Sequence, residues 1–182
     1  MNDRDIYEPG PAEGARVRKD GAKWTLILVR DLRHPPEKVW RALTEPEHLA
    51  AWAPFDADGN LGTAGAAVKL TTAETPGPHV TETRVTEADP PRMLAFDWGG
   101  SEVRWELEPT AGGTRLTLWT SIDPPYISMG AAGWHVCLDV MDRLLAGKPI
   151  GRIVAADALR FSGWQRLNAE YAAQFELEAP GR

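Results

Sequence analysis

Cys137, the one cysteine of the chain, and the pair His135 and Asp139 are residues whose types and spacing could do chemistry. All three fall in the stretch Gly133 to Gly147, GWHVCLDVMDRLLAG. A cysteine becomes a nucleophile when a nearby base or cation lowers its pKa, and His and Asp one helical turn apart can share a metal or a proton. The pattern around them argues against both. Trp134, Cys137, Leu138, Met141, Leu144 and Leu145 recur at three- and four-residue intervals, which predicts a helix with Cys137 on its apolar side. His135, Asp139, Asp142 and Arg143 then share a polar arc of about 100°, and Val136 and Val140 widen the apolar side past half the circumference. The thiol is read as a small buried hydrophobe, and His135 with Asp139 as a solvated pair.

The other candidates carry less. His34, His48 and His79 fall in loops or short helices without a matching cluster, so no metal site is assigned. Asp56, Asp58, Gly59 and Asn60 suggest the start of a calcium loop, but the glycine comes one place early and Ala67 stands where the closing glutamate belongs. That segment is read as a turn. There is no glycine-rich phosphate loop and no nucleophile elbow, and neither a catalytic residue nor a cofactor is assigned.

A chain of 182 residues with 43% hydrophobic content suits one domain with a sizeable core. Its net charge of −6, with Arg and Lys scattered among Asp and Glu, speaks against a nucleic-acid partner. No apolar run is long enough to span a bilayer, and the acidic start MNDRDIYEPGPAEG is unlike a signal peptide. A cytoplasmic protein without membrane insertion is expected.

The elements that must position these residues follow in order. Residues 1–21, rich in charge, Gly and Pro, read as a loose N-terminal arm. Lys23 to Leu32 reads as a strand apolar on both faces. A proline start at Pro35-Pro36 opens a short helix to Leu43, and Thr44-Glu45-Pro46-Glu47 has capping-box form for a second one ending near Trp52. Strands are predicted over Ala66 to Thr72, His79 to Ala88, Arg92 to Trp98, Glu102 to Glu108 and Arg115 to Ile122, joined as an antiparallel meander with hairpins at Gly99-Gly100 and Gly112-Gly113. Alternation puts Leu94, Phe96 and Trp98, then Val103, Trp105 and Leu107, then Leu116, Leu118 and Thr120 on one face, with charged neighbours on the other. Such a sheet wraps something on one side, and the Gly133 helix is the natural object. Ser162-Gly163-Trp164-Gln165 repeats the capping-box form before a last helix with the stripe Trp164, Leu167, Tyr171 and Phe175, predicted to cover an apolar flank.

This order, α+β with a curved antiparallel sheet around a long C-terminal helix, resembles the helix-grip fold of the START-like superfamily. His34-Pro35-Pro36-Glu37-Lys38-Val39-Trp40-Arg41-Ala42-Leu43-Thr44-Glu45-Pro46 with Leu49 and Trp52 is similar to the opening signature of the heat-shock-protein-90 ATPase activator-like family, C-terminal domain type. So are Asp89-Pro90-Pro91-Arg92-Met93-Leu94, Val103 to Pro109, Gly113 to Leu118, and Gly133-Trp134 with Leu138-Asp139. The resembling motifs cover about residues 23–147, which places the helix-grip domain at residues 22–148; residues 149–182 are read as a C-terminal extension with a packed helix, whose stretch Trp164 to Phe175 resembles one in bacterial members. One departure is Thr120, where many relatives carry a histidine whose role is therefore not carried over.

The resemblance implies a pocket between sheet and helix, a fold-level inference that does not choose the ligand. The alternation and the helix stripe give its expected lining: Phe96, Trp98, Trp105, Leu107, Leu118, Trp134, Leu138 and Met141, with Thr120 as a hydrogen-bonding group. Trp40, Trp52 and Trp164 are read as packing residues, and Trp119, facing outward, as a homodimer contact or a seat for the N-terminal arm. Three readings stand: binding of a small hydrophobic or amphipathic molecule, a cyclase or aromatase of the polyketide type, and a surface-acting chaperone-associated protein. The first is favoured because the inferred space is aromatic, with Thr83, Thr120 and Tyr126 as its polar groups and no titratable group placed to move protons.

Overall fold

In the computed structural model, which describes residues 2–72 and 77–175, the apolar run Lys23–Leu32 is a central strand, β2, lying between β1 (Ala15–Asp20) and the last strand, β9 (Gly113–Ser121). Beyond β9 follow β8 (Ser101–Thr110), β7 (Met93–Trp98) and β6 (Glu87–Asp89), every pair antiparallel. The register carries the apolar alternation across strands. Leu28, Leu118, Trp105 and Leu94 form one row, and Leu26, Thr120, Val103 and Phe96 the next. Both rows face inward and are buried. On the outer face Arg16, Ile27, Trp119 and Arg104 line up, with Ile27 buried beneath its neighbours and Trp119 half-buried near Arg18 and Glu102.

A second sheet of β3 (Phe55–Ala57), β4 (Ala67–Thr72) and β5 (His79–Arg84) continues beside β7. The strand expected from His79 to Ala88 is thus divided. The backbone changes partner in the middle: Val85 N–H donates to the Ala66 carbonyl and Thr86 N–H to that of Ala95. β3 was outside the sequence expectation because three residues are too few to show alternation.

The helices α1 (Pro36–Thr44) and α2 (Pro46–Trp52) stand where the prolines place them. The capping-box reading is corrected, since Glu45 is the N-cap of α2 and the Thr44 hydroxyl turns back to donate to the Trp40 carbonyl at 2.8 Å. The second box fails in the same way: α5 (Ser162–Gln174) starts at Ser162 without a side-chain cap, and Gln165 reaches back to the Leu159 carbonyl. The long helix α3 spans Ile127–Leu145, six residues more than the periodicity predicts at its start. Gly130 and Gly133 hide that first stretch because glycine is a poor helix former and carries no side chain to mark a face. A Cβ at Gly130 would lie 2.5 Å from Cδ1 of Ile122, so any larger residue there would push the end of that side chain aside. After α3 the chain turns back through α4 (Ala155–Arg160), and α5 packs along α3.

The loose arm expected over residues 1–21 is replaced in part by structure. Ala15–Asp20 is an edge strand of the main sheet, and Tyr7 is buried in the core cluster. Low hydrophobicity did not prevent this, because β1 obtains its hydrogen bonds from β2 and needs few apolar side chains.

Candidate functional site

The inward faces of sheet and helix meet in a continuous aromatic seam. Trp52 and Trp105 lie edge to face at 6.1 Å, Trp105 and Trp134 at 5.6 Å, Trp134 and Trp98 at 5.9 Å, and Trp98 continues to Phe55 at 5.2 Å. Of the nine residues expected to line a pocket, Phe96, Trp105, Leu107, Leu118, Leu138 and Met141 are packed into this core and buried. They hold the sheet to α3, and none of them lines the cleft described next. Trp98, Thr120 and Trp134 sit at the end of the seam, where the filling stops.

There a cleft of about 580 Å³ opens between the N-terminal half of α3, the sheet ends and the α4 segment. Its floor is Trp98, Trp134 and Cys137, with Gly130 and Gly133 leaving the helix surface bare. One side is formed by Ser101, Thr120, Ser121 and Ile122 at the ends of β8 and β9, and the opposite side by Ile153, Val154, Ala155, Ala158, Leu159 and Trp164. Tyr126, Met129 and Leu159 stand at the opening with 58%, 38% and 53% of their surface exposed. Burial pushes the Cys137 thiol up to about 12, which keeps it protonated and inert at neutral pH. Thr83, expected inside, instead accepts a hydrogen bond from the Asp97 N–H away from the cleft. The bare glycines of α3 were the signal in the sequence for where this groove lies.

The wall is fixed at its root by two arginines. Arg152 bonds Asp56 of β3 with both terminal nitrogens, at 2.8 and 3.1 Å. Arg4 donates to the carbonyls of Ile150, Gly151 and Arg152 at 3.0 to 3.1 Å.

Comparison with known proteins adds the family. The sequence model described as Activator of Hsp90 ATPase homolog 1-like protein matches residues 33–146. This chain belongs to that family. Solved structures share the fold of the activator-like family at low identity. A conserved protein of unknown function from Enterococcus faecalis has a TM-score of 0.67 at 16% identity, covering 91% of this chain and 92% of its own. CalU16 from Micromonospora echinospora has a TM-score of 0.63 at 20% identity, covering 89% and 96%. A protein from Staphylococcus saprophyticus has a TM-score of 0.60 at 19% identity, covering 71% and 98%. No protein of curated function matches the chain.

The activator-like match ends before the segment that completes the cleft, since α4 and Trp164 follow residue 146. Tyr7 and Tyr171, which meet the polar arc on α3, also lie outside it, before and after the match. His135 and Asp139, read as a solvated pair, are enclosed by flanking segments. His135 is 4% exposed with Nδ1 2.7 Å from the Tyr171 hydroxyl of α5, and Asp139 accepts a 2.5 Å bond from the Tyr7 hydroxyl. Asp142 bonds Nε2 of His34 at 2.7 Å, and the Arg143 guanidinium lies 5.0 Å over the Tyr7 ring. These are structural contacts, and none of the residues in them lines the cleft. Among the described residues no group of three His, Cys, Asp or Glu could hold a metal ion, and no helix is long and apolar enough to cross a membrane.

Proposed function

We propose that this activator-like protein binds a small, largely apolar molecule in the cleft at the N-terminal half of α3. The observation that supports it is the lining: an aromatic floor and an apolar α4 wall facing the hydroxyl-bearing sheet ends, with Tyr126, Met129 and Leu159 left in water around the opening. Apolar side chains gathered around a concave surface of this size have the character of a ligand site. Among the described residues the ionisable groups of the lining are Cys137 and Tyr126, one held protonated by burial and the other at the mouth. The cleft therefore offers shape and apolar contact in place of a proton-transfer group, which favours binding over turnover.

The site proposed from the sequence moves accordingly. Trp98, Thr120 and Trp134 remain in it, and the six packed residues act as the support behind the floor. Titration with the neutral dye Nile red tests the reading. Saturable emission enhancement is expected for the wild type, and at least a tenfold loss of affinity for Gly133→Leu, whose Cβ meets nothing closer than Nε1 of Trp164 at 3.8 Å and whose side chain enters the cleft. Equal binding by the variant, with its fold intact by circular dichroism, would exclude the site.

A further inference from the structure

Resting on that reading, we infer that the cleft selects uncharged molecules carrying a hydroxyl or carbonyl group and discriminates against carboxylates, so that its ligand is neither a fatty acid nor an aromatic acid. Among the described residues the lining holds no Lys, Arg, His, Asp or Glu. The cations closest to the α4 wall are already engaged: Arg160, which follows Leu159, has its Nη2 3.2 Å from Asp157 Oδ1. Arg152, one residue before the wall, gives both terminal nitrogens to Asp56. Arg4 gives its Nη1 to three carbonyls, and its Nη2 lies 3.8 Å from Asp157.

An ionised carboxylate moved into such a cleft loses hydration without gaining a counter-charge, and that cost is far larger than for a hydroxyl. Leaving the carboxylate at the opening gains little, because the rim there is Tyr126, Met129 and Leu159. The chain's net charge of −6 adds a repulsive field.

Neutral polar groups are better served. Ser121 Oγ accepts the Glu102 N–H at 2.8 Å and keeps its own proton to donate. Thr120 Oγ1 has the Ser121 carbonyl as its nearest acceptor at 3.5 Å, a bond weak enough to exchange for a ligand. Thr120, Ser121 and Ser101 line the cleft together at the sheet side, across from the apolar α4 wall. A molecule with one hydroxyl or carbonyl end and an apolar body fits that polarity.

The test uses a matched pair, 2-naphthol and 2-naphthoate, in equilibrium dialysis at neutral pH against the wild type, Gly133→Leu and Leu159→Lys. Binding to the cleft is the part lost in Gly133→Leu. Naphthol is expected to bind at least tenfold more tightly than naphthoate in the wild type. Leu159→Lys, which places a cation at the exposed rim, is expected to shift the ratio of naphthoate to naphthol affinity several-fold toward naphthoate. Naphthoate binding as tightly as naphthol in the wild type would overturn the selectivity and leave the binding site standing. Cleft binding of neither probe would overturn the site and the selectivity with it.

Discussion

His135 is kept neutral inside the protein, and the hydrogen bonds around it fix which nitrogen carries the proton. The Tyr171 hydroxyl donates to the Glu13 carbonyl at 3.1 Å, so it accepts from His135, whose proton lies on Nδ1. Nε2 then presents a lone pair toward Asp139 Oδ2 at 3.6 Å, too far and of the wrong polarity for a bond. Burial first, and then the guanidinium groups of Arg30 and Arg166, push the imidazole down to about 4 from 6.5. A histidine depressed in the folded state contributes stability that is complete above its unfolded pKa and is lost as pH falls toward the folded value. The window is therefore about pH 6.5 to 4, and a shift of this size corresponds to roughly 3 kcal/mol. Asp139 works in the opposite sense, because burial raises its carboxyl and acid protonation then favours the fold. Replacing His135 by Gln isolates the histidine. Its amide can still donate to Tyr171, and the stability difference from the wild type, measured by urea unfolding, should shrink by roughly 3 kcal/mol between neutral pH and about pH 4. A difference that stays constant over that range would show that His135 does not titrate on unfolding.

At the scale of elements, α5 shows what a short stripe can achieve. Trp164, Leu167 and Tyr171 are buried against the core, with Leu167 and Tyr171 fully so. Each such side chain is worth about 1.5 to 3 kcal/mol of burial, so their sum approaches the whole stability of an ordinary domain. Truncation after Gly163 is expected to abolish cooperative thermal unfolding or lower Tm by more than about 15 °C, and a melting curve unchanged from full length would contradict it. This stripe was legible because Trp164, Leu167 and Tyr171 follow helical spacing, just as Phe96, Val103, Trp105 and Leu118 follow strand spacing. Packing is a majority property of apolar residues, and pattern reports it well. What pattern could not report is where packing stops. Trp105 and Trp134 have the same residue type and the same inward direction, yet one is enclosed by Trp52, Trp134 and the sheet while the other borders the cleft. The difference lies in Gly130 and Gly133, which add no volume, and in the α4 wall, which comes from 20 or more residues further along. Thr44 illustrates a second limit: a hydroxyl near a helix end has two backbone partners within reach, and composition does not say that it takes the Trp40 carbonyl.

In the molecule as a whole, the N-terminal segment ties the flanks together. Its charge, Gly and Pro suggest looseness, but a few long-range contacts are enough to place it. The Tyr7 ring stacks on Phe161 at 5.6 Å, its hydroxyl holds Asp139, and Glu170 accepts the Ala12 N–H at 3.1 Å. Charge type alone could not show that Asp139 would find a tyrosine from 132 positions away. The same segment supplies Arg4, which reaches the root of the cleft wall. That wall contains Ala155 at φ 51°, a left-handed conformation costing an alanine about 1 to 2 kcal/mol, so its geometry depends on contacts that hold it. The Arg4 bonds to the carbonyls of Ile150, Gly151 and Arg152 and the Arg152 bond to Asp56 are such contacts, both at the root of the segment. Removing Arg4 leaves the three carbonyls to water and costs on the order of 1 to 2 kcal/mol locally. Local opening is governed by the contacts of the segment that opens, so the cost should appear there first. Hydrogen–deuterium exchange on Arg4→Ala is expected to be roughly 5- to 30-fold faster for amides of residues 153–161, with β8 and β9 unchanged. Protection identical to the wild type across residues 153–161 would mean that the wall stands without its arginine, and uniform loss of protection over the sheet would mean that Arg4 supports the whole fold.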